Sequence, residues 1–238
     1  MKQRKLSIKI ITLFPKFVED FVENFGIVKR AIKLKLLDIK PVNLRSFGFT
    51  KRQIVDDRPY GGGVGMVLRP DVLYKAIKSA KGKGLRAKVI LMTPQGKKFD
   101  QATAQRLSKV NNLIFVCGRY EGFDERIRQF ADEEISIGDY VLMGGELPAL
   151  VISEAVMRLR PGILGKDESS VGESFSEKLL EFPQYTKPDI FEFKDSKLKI
   201  KRLKVPKVLL TGHHKNINEF RKQESIKRTK KRRPDLIS

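Results

Sequence analysis

The chain has 238 residues, of which 40% are hydrophobic and 32% charged, a composition typical of a globular protein with one sizeable core and room for a smaller module. No apolar run approaches the ~18 residues that a membrane-spanning helix needs, which excludes an integral membrane protein. A single cysteine excludes an intramolecular disulfide, so we expect a protein of the reducing cytoplasm.

The formal net charge of +21 is unevenly distributed along the chain. Residues 1–117 carry 25 Lys and Arg against 8 Asp and Glu, residues 118–182 carry 7 against 14, and residues 183–238 carry 17 against 6. The three segments therefore have net charges of +17, −7 and +11. Two basic segments on either side of an acidic one predict a polyanionic partner, and nucleic acid is the obvious candidate.

Runs of apolar and β-branched residues alternate with helical periods over the first two thirds of the chain. In chain order the sequence predicts a strand at Ser7–Phe14, a helix at Phe17–Lys35, a strand at Leu37–Val42, a helix at Pro70–Lys81, a strand at Lys88–Thr93, a helix at Asp100–Lys109, strands at Leu113–Cys117 and Glu134–Ile137, and a helix at Pro148–Arg158. This alternation is typical of the α/β class, with a mostly parallel sheet covered by helices.

The pattern changes after Arg160. Residues 161–185 are rich in Gly, Ser and charged residues and show little periodicity, which predicts a linker or lid. Further on, Asn216 and Glu219 resemble a capping box at the start of a basic helix. We therefore predict three parts: an α/β domain at 1–160, a linker at 161–185 and a small helical domain at 186–238.

Glycine-containing loops follow three of the predicted strands. They are Thr93-Pro94-Gln95-Gly96, Gly118 to Gly122, and the loop with Gly138, Gly144 and Gly145. Glycine allows positive φ and a close approach of ligand to backbone, and parallel strands end at one edge of a sheet. Two ordinary strand–helix turns are the alternative explanation, but the reactive groups between the glycines favour a small-molecule crevice: Arg119, Tyr120, Glu121, Asp139 and Tyr140.

Other motifs are less informative. Residues 82–87, GKGLRA, match the letters of a dinucleotide-binding pattern but follow a helix and precede a strand, the reverse of the required order. The run Gly61–Gly65 is either a flexible linker or a binding loop, and its charged and aromatic flanks favour binding. Cys117 ends an apolar strand and is predicted to be a buried structural thiol. His213 and His214 have no ligand at zinc-site spacing, so we predict no metal site there.

Seven motifs, in this order and spacing, carry a resemblance to a known family. They are VDDRPYGGGVGM (55–66), TPQGKKFDQ (93–101), CGRYEGFDER (117–126), SIGDYVLMGGELPA (136–149), EAVMRLRPGILG (154–165), FPQYTKP (182–188) and TGHHKNI (211–217). Together they resemble the bacterial tRNA (guanine-N1)-methyltransferases that modify guanosine 37, a family of the SPOUT class. The resemblance implies a parallel sheet with a deep trefoil knot, a fold that general topology rules disfavour.

The resemblance also implies a methyl donor, S-adenosylmethionine, held in the knot by the three glycine loops. The donor-binding positions that it implies are Pro94, Gly96, Gly118, Tyr120, Gly122, Ile137, Gly138, Asp139, Tyr140, Val141, Leu142, Gly144 and Gly145. Glu121 is either an acceptor for the donor's cationic methionine portion or a surface acid, and its ligand-binding neighbours favour the acceptor role. Further implications are a homodimer, a linker that orders over the site, a C-terminal module that binds tRNA, and magnesium ions that support methyl transfer.

Methylation of guanine N1 requires removal of its proton while negative charge develops on O6. A positioned carboxylate can act as the base, and a cation near O6 can stabilise the charge. The family uses an aspartate in an Asp-Ser-Phe motif and an arginine on the preceding helix. The corresponding positions here are Glu173, within Glu173-Ser-Phe175, and Arg158. The resemblance therefore implies Glu173 as the base, although its carboxylate is one methylene longer, with Asp167 and Glu168 as the next candidates.

Plainer roles remain for both side chains. Glu173 could be a solvated linker acid, and Arg158 could favour the C-terminal dipole of its helix. Two other functions stay open: a SPOUT enzyme that methylates ribose or ribosomal RNA, and an RNA-binding protein that has lost activity. The acid-bearing linker argues against ribose methylation, and the glutamate at 173 is the one feature that favours lost activity.

Overall fold

The computed structural model of the chain describes residues 5–82, 86–164, 174–175 and 178–237. The chain divides into two compact units, Met1–Ser169 and Ser170–Ser238. The division falls inside the segment 161–185 that the sequence predicts as a linker. Among the described residues, no helix is both long and apolar enough to cross a membrane.

The first unit is built on a five-stranded parallel sheet. Its strands are β1 (Leu6–Thr12), β2 (Leu37–Asn43), β5 (Lys88–Lys98), β6 (Asn112–Cys117) and β7 (Glu133–Ser136). Their order in the sheet is β2-β1-β6-β5-β7, and every neighbouring pair is parallel. Two short antiparallel strands, β3 (Asp56–Asp57) and β4 (Val67–Leu68), flank the run Gly61–Gly65. The predicted α/β class with a mainly parallel sheet is confirmed.

Helices cover both faces of this sheet. They are α1 (Pro15–Asn24), α2 (Gly26–Lys33), α3 (Pro70–Lys81), α4 (Gln101–Ser108) and α5 (Glu146–Arg158). Alternate residues of the strands belong to two separate core clusters: Phe115 packs with residues of α1, α2, α4 and α5, whereas Val116 packs with α3. The sheet is buried on both sides, which is why its strands read as nearly continuous apolar runs.

Two predicted elements of the first unit differ substantially from the structure, and the boundaries of the others lie within two residues of the prediction. The helix predicted at Phe17–Lys35 is two helices, because Phe25 adopts an extended conformation (φ −95°, ψ 101°) between α1 and α2. The strand predicted to end at Thr93 continues to Lys98 after an irregularity: Ile135 of β7 faces both Met92 and Lys97 of β5. The intervening residues 93–96 bulge out of the sheet.

Gly96 allows that bulge. A Cβ atom at this position would lie 2.4 Å from the backbone nitrogen of Ile135 and 2.5 Å from the carbonyl carbon of Glu134. Strand β5 can pair with β7 again at Lys97 only because residue 96 has no side chain.

The second unit contains a β-hairpin as well as a helix. Strands β8 (Ile190–Lys194) and β9 (Ile200–Lys204) pair antiparallel, and α6 spans His214–Arg232. The predicted small helical domain thus also holds a hairpin that periodicity did not indicate. The capping-box prediction is wrong, because α6 begins two residues before Asn216 and its N-cap, His213, makes no side-chain capping bond.

Candidate functional site

The carboxyl ends of β5, β6 and β7 enclose a cavity of about 350 Å³. Its lining comes from the bulge after Met92, from the loop after Cys117, and from the long loop between β7 and α5. This volume lies within the range of small-molecule sites, and the place is where α/β sheets bind ligands. The three glycine-containing loops predicted from the sequence therefore meet at one cavity.

The cavity gathers most of the predicted donor-binding residues. Those that line it are Pro94, Gly118, Tyr120, Glu121, Gly122, Ile137, Gly138, Tyr140, Val141, Leu142, Gly144 and Gly145. Gly96 does not line it and instead allows the close approach of β5 to β7. Asp139 is also absent from the lining: its carboxylate is 89% exposed and lies 3.4 Å from the Lys98 Nζ.

Glycines bring the backbone of the β7–α5 loop against the end of β6. The amide of Gly145 donates to the carbonyl of Gly118 at 3.0 Å. A Cβ atom on Gly145 would lie 2.7 Å from the Cα of Cys117, and one on Gly144 would lie 2.3 Å from the Nε of Arg119. A larger residue at position 145 would push the loop away from the backbone at the end of β6, and one at position 144 would displace the Arg119 side chain, so both glycines shape the cavity.

A second glycine loop adjoins the turn after β6. Tyr120 has a positive φ of 57°, and the amide of Glu121 donates to the carbonyl of Met66 at 3.0 Å. A Cβ atom on Gly65 would lie 2.3 Å from a carboxylate oxygen of Glu121. The exposed run Gly61–Gly65 is thereby held beside the carboxylate of Glu121, which fits a binding loop better than a linker.

A polar network centred on the buried carboxylate of Glu146 adjoins the cavity. Glu146, at the first position of α5, is 3% exposed and accepts a hydrogen bond from the hydroxyl of Thr12 at 2.6 Å. The guanidinium of Arg119 lies 2.9 Å from the same carboxylate and donates to the carbonyl of Met143 at 3.2 Å. The network joins the ends of β1 and β6 to the start of α5 and to the loop that lines the cavity.

Glu146 is not among the site residues predicted from the sequence. The sequence feature that could have identified it is an acidic residue in the first turn of an apolar helix, where the helix dipole stabilises a negative charge. Its partners Thr12 and Arg119 are 134 and 27 residues away, so the pairing itself could not be read from spacing.

Cys117, the last residue of β6, lies near the Glu146 and Arg119 side chains of this network. Its side chain is 2% exposed, and burial, with a smaller contribution from the nearby Glu146 carboxylate, raises the pKa of the thiol well above its ordinary value. A protonated buried thiol is a poor nucleophile. Cys117 is thus structural, as its place at the end of an apolar strand predicts.

Arg128 contributes a cation to the cavity wall, and it too is absent from the residues predicted from the sequence. It lies in a 3-10 helix at Glu125–Phe130 and pairs with the carboxylates of Glu125 and Glu134. It also donates to the side-chain oxygen of Gln95 at 2.6 Å. These contacts tie the bulge of β5 to the chain that enters β7.

An exposed apolar surface lies next to the cavity on α1, α5 and the loop between β7 and α5. We define this α1–α5 surface by the residues Phe14, Phe17, Leu142, Met143, Leu147 and Val151, all at least partly open to solvent. Part of it forms a depression of about 600 Å³. Arg119 lines both this depression and the cavity, and its guanidinium lies 4.3 Å from the ring centre of Phe14.

The predicted catalytic residues do not line the cavity in the described part of the chain. Arg158 is exposed at the last residue of α5. Glu173, Asp167 and Glu168 lie outside the described residues. Arg160 has a structural role: it donates to the carbonyl of Ser108 at 2.8 Å and to the side chain of Asn111 at 3.1 Å, and burial lowers its pKa.

Within the described residues, no three or more His, Cys, Asp or Glu side chains gather in a group that could hold a metal ion. These described residues assign no ligand to magnesium.

Comparison with known proteins shows the family. The family model described as tRNA (Guanine-1)-methyltransferase TrmD matches residues 6–238. A tRNA (guanine-N(1)-)-methyltransferase of Symbiobacterium thermophilum is 48% identical over 98% of this chain and 92% of its own length. Proteins of the same description from Prochlorococcus marinus and Staphylococcus haemolyticus are 48% and 46% identical, over 97% and 98% of this chain and 90% and 91% of their own lengths. The chain belongs to the tRNA (guanine-N1)-methyltransferase family.

Proposed function

We propose that this protein transfers the methyl group of S-adenosylmethionine to N1 of guanosine 37 in tRNA, in the cytoplasm. The observation that carries the proposal is the glycine-lined cavity at the ends of β5, β6 and β7 in a chain of this family. S-adenosylmethionine supplies an electrophilic methyl group when it is bound.

The cavity has the chemistry that this donor needs. Ile137, Tyr140 and Leu142 offer apolar contacts for an adenine ring, and the backbone groups near Gly118 and Gly144 are open to polar parts of a ligand. The carboxylate of Glu121 is suited to the cationic amino group of the donor's methionine portion. The parallel sheet of the first unit is compatible with the trefoil knot of the SPOUT class, and the knot is part of this proposal.

The proton chemistry is assigned to Glu173 and Arg158. In the proposed mechanism Glu173 accepts the N1 proton as the methyl group arrives, and Arg158 stabilises negative charge on O6. Both assignments rest on the family motifs in the sequence. Magnesium ions remain a proposed aid to the reaction, without an assigned ligand.

Replacement of the two catalytic residues gives a direct prediction. We expect Glu173→Gln to lower the single-turnover rate of methyl transfer by about 10²-fold or more, because glutamine cannot accept the proton. Donor affinity, measured by calorimetry, should be unchanged. Arg158→Lys should also slow the reaction, since an ammonium does not reproduce a directed guanidinium contact. Near-normal rates for Glu173→Gln would assign the base elsewhere, with Asp167→Asn and Glu168→Gln tested next.

The tRNA is proposed to contact the two basic parts of the chain. The second unit supplies α6, whose last turn contains Lys230, Lys231 and Arg232. Residues 183–238 have a net charge of +11, which suits a polyanion.

We also propose that the protein is a homodimer. The α1–α5 surface is apolar, lies next to the donor cavity and is uncovered in one chain. A second copy of the chain would remove this surface from water.

The function is tested with labelled S-adenosylmethionine and two tRNA transcripts that differ only at position 37. We expect label in the transcript with guanosine 37 and none in the transcript with adenosine 37, and nuclease mapping should place the methyl group on N1. Methylation that does not depend on this base, or methylation of ribose, would contradict the proposal. Donor binding without methylation of any RNA would instead favour a binding protein.

A further inference from the structure

The β8–β9 hairpin exposes two aromatic rings to solvent. Phe191 and Phe193 are 55% and 38% exposed, and every residue of both strands is exposed. Their ring centres are 5.7 Å apart and their planes differ by 18°. The two rings thus form a stacked pair on one face of an open hairpin.

The same face carries positive charge. Register pairs Phe191 with Leu203 and Phe193 with Lys201, so these side chains share a face. The amide of Asp195 donates to the carbonyl of Lys199 at 2.9 Å, which extends the ladder and puts Lys199 on that face too. We call this face the aromatic–lysine face. It carries two lysines and one acid and consists of Phe191, Phe193, Asp195, Lys199, Lys201 and Leu203.

The acidic residues of the hairpin are engaged within it. Residues 190–204 contain six Lys and Arg and two acids, a net charge of +4. Glu192 pairs with Arg202 at 2.5 Å on the opposite face. Asp195 accepts from the amides of Lys197 and Lys199 in the turn and lies 3.9 Å from the Lys201 ammonium, a weak exposed pair.

The remaining lysines are available to an outside partner. In the described part of the chain no ion pair involves Lys194, Lys197, Lys199 or Lys204. Exposed aromatic rings beside lysines are the combination that binds unpaired nucleotides, because rings stack on bases while ammonium groups contact phosphates. A protein partner would instead favour an apolar patch with few lysines.

We infer that the aromatic–lysine face of the β8–β9 hairpin is an RNA-binding site, which stacks unpaired bases of the substrate tRNA on Phe191 and Phe193 and holds the adjoining phosphates with Lys199 and Lys201. This inference rests on the proposed function, since it takes tRNA as the partner. It adds to that function a specific RNA-binding element and the kind of nucleotide that the element binds.

Two variants separate stacking from phosphate binding. Phe191→Leu/Phe193→Leu keeps apolar side chains and removes the stacking surface, so tRNA affinity should fall about 5-fold or more with an unchanged salt dependence. Lys199→Gln/Lys201→Gln leaves the rings in place and should weaken binding. It should also reduce the slope of log affinity against log salt by about 0.7 for each phosphate that the protein no longer neutralises. Filter binding with a labelled tRNA transcript at several salt concentrations measures both quantities.

A matched control is Phe130→Leu, because Phe130 also belongs to an exposed aromatic pair, with Tyr74 at 4.8 Å, but lies in the first unit. It should bind tRNA as the wild type does. Both hairpin variants should retain wild-type affinity for S-adenosylmethionine, since none of the replaced residues lines the cavity of the first unit.

The outcomes are distinguishable. Wild-type affinity and salt dependence in both hairpin variants would overturn the inference and leave the methyltransferase proposal intact, provided that the wild-type protein methylates tRNA in the same assay. Failure of the wild-type protein to bind or methylate tRNA would overturn the proposed function. A change in sedimentation mass without a change in tRNA affinity would identify the face as a protein interface and overturn the inference.

Discussion

At the scale of single residues, the described side chains beside the cavity hold its loops in place. Arg119 and Glu146 connect three elements, and the guanidinium also bonds the carbonyl of Met143 in the loop that lines the cavity. The Glu146 carboxylate is 3% exposed, so loss of its partner would be unfavourable, because the remaining charge would be shielded from water. The pair therefore holds the loop in one arrangement before any ligand arrives.

Removing the charge of Glu146 tests this role. We expect Glu146→Gln to lower the free energy of unfolding of the first unit by about 2–3 kcal/mol, the cost of weakening buried hydrogen bonds to a charged group. Unfolding of this unit in urea can be monitored by the reaction of the Cys117 thiol with a thiol-specific reagent, because Cys117 is buried in the core of the unit. Donor affinity, measured by calorimetry, should fall as well, since the loop loses its anchor.

The control for this change is Asp139→Asn, which removes an exposed pair with Lys98 in the same unit. Its effect on unfolding should lie within ~1 kcal/mol, as is usual for exposed pairs. Equal destabilisation by both substitutions would mean that the Arg119–Glu146 pair contributes no more to the free energy of unfolding than an exposed pair does.

At the scale of elements, local patterns predicted the helices and strands well where tertiary contacts did not interfere. Helix α3 spans Pro70–Lys81 as predicted, with proline in its first turn and Gly82 at its C-cap. The helix predicted at Phe17–Lys35 is broken at Phe25, where an extended residue lets α2 turn and bury Val28 and Ala31. Apolar periodicity continues across such a break, so the sequence pattern does not reveal it.

The α1–α5 surface gives a prediction at this scale. Leu147→Asp puts a charge in the middle of the surface, and we expect the proposed dimer to dissociate because a buried carboxylate would have no partner. Sedimentation velocity measures the change in mass. Leu34→Asp is the control, since Leu34 is similarly exposed (51% against 53%) at the end of α2. A Leu147→Asp protein that keeps the wild-type mass would exclude this surface as the interface.

At the scale of the whole molecule, the charge distribution separates two kinds of binding. Two basic segments suit a long polyanion, whereas the proposed donor cavity is lined by backbone, apolar side chains and charges of both signs, such as Glu121 and Arg128. Affinity for a polyanion falls with salt because counterions are released on binding. Contacts with backbone and apolar groups release few ions.

We therefore expect affinity for tRNA to depend strongly on salt and affinity for the donor to depend on it only weakly. Affinity for tRNA should drop at least about tenfold between 50 and 200 mM salt, the decrease for two or more phosphate contacts, whereas donor affinity should change less than about twofold. Filter binding and calorimetry, respectively, measure the two affinities. A salt-insensitive affinity for tRNA would show that the phosphates are not what the protein holds.

The sequence by itself determined the class of fold and the family, and it located the glycine loops at three strand ends. These properties are encoded locally: strand–helix alternation, glycine where the backbone must come close, and motifs within a few tens of residues. Only the tertiary structure decided that Gly96 allows the close approach of β5 to β7, that Asp139 faces solvent, and that Glu146 joins Thr12 and Arg119. The reason is the sheet order β2-β1-β6-β5-β7, which brings distant residues together in a way that no local pattern contains.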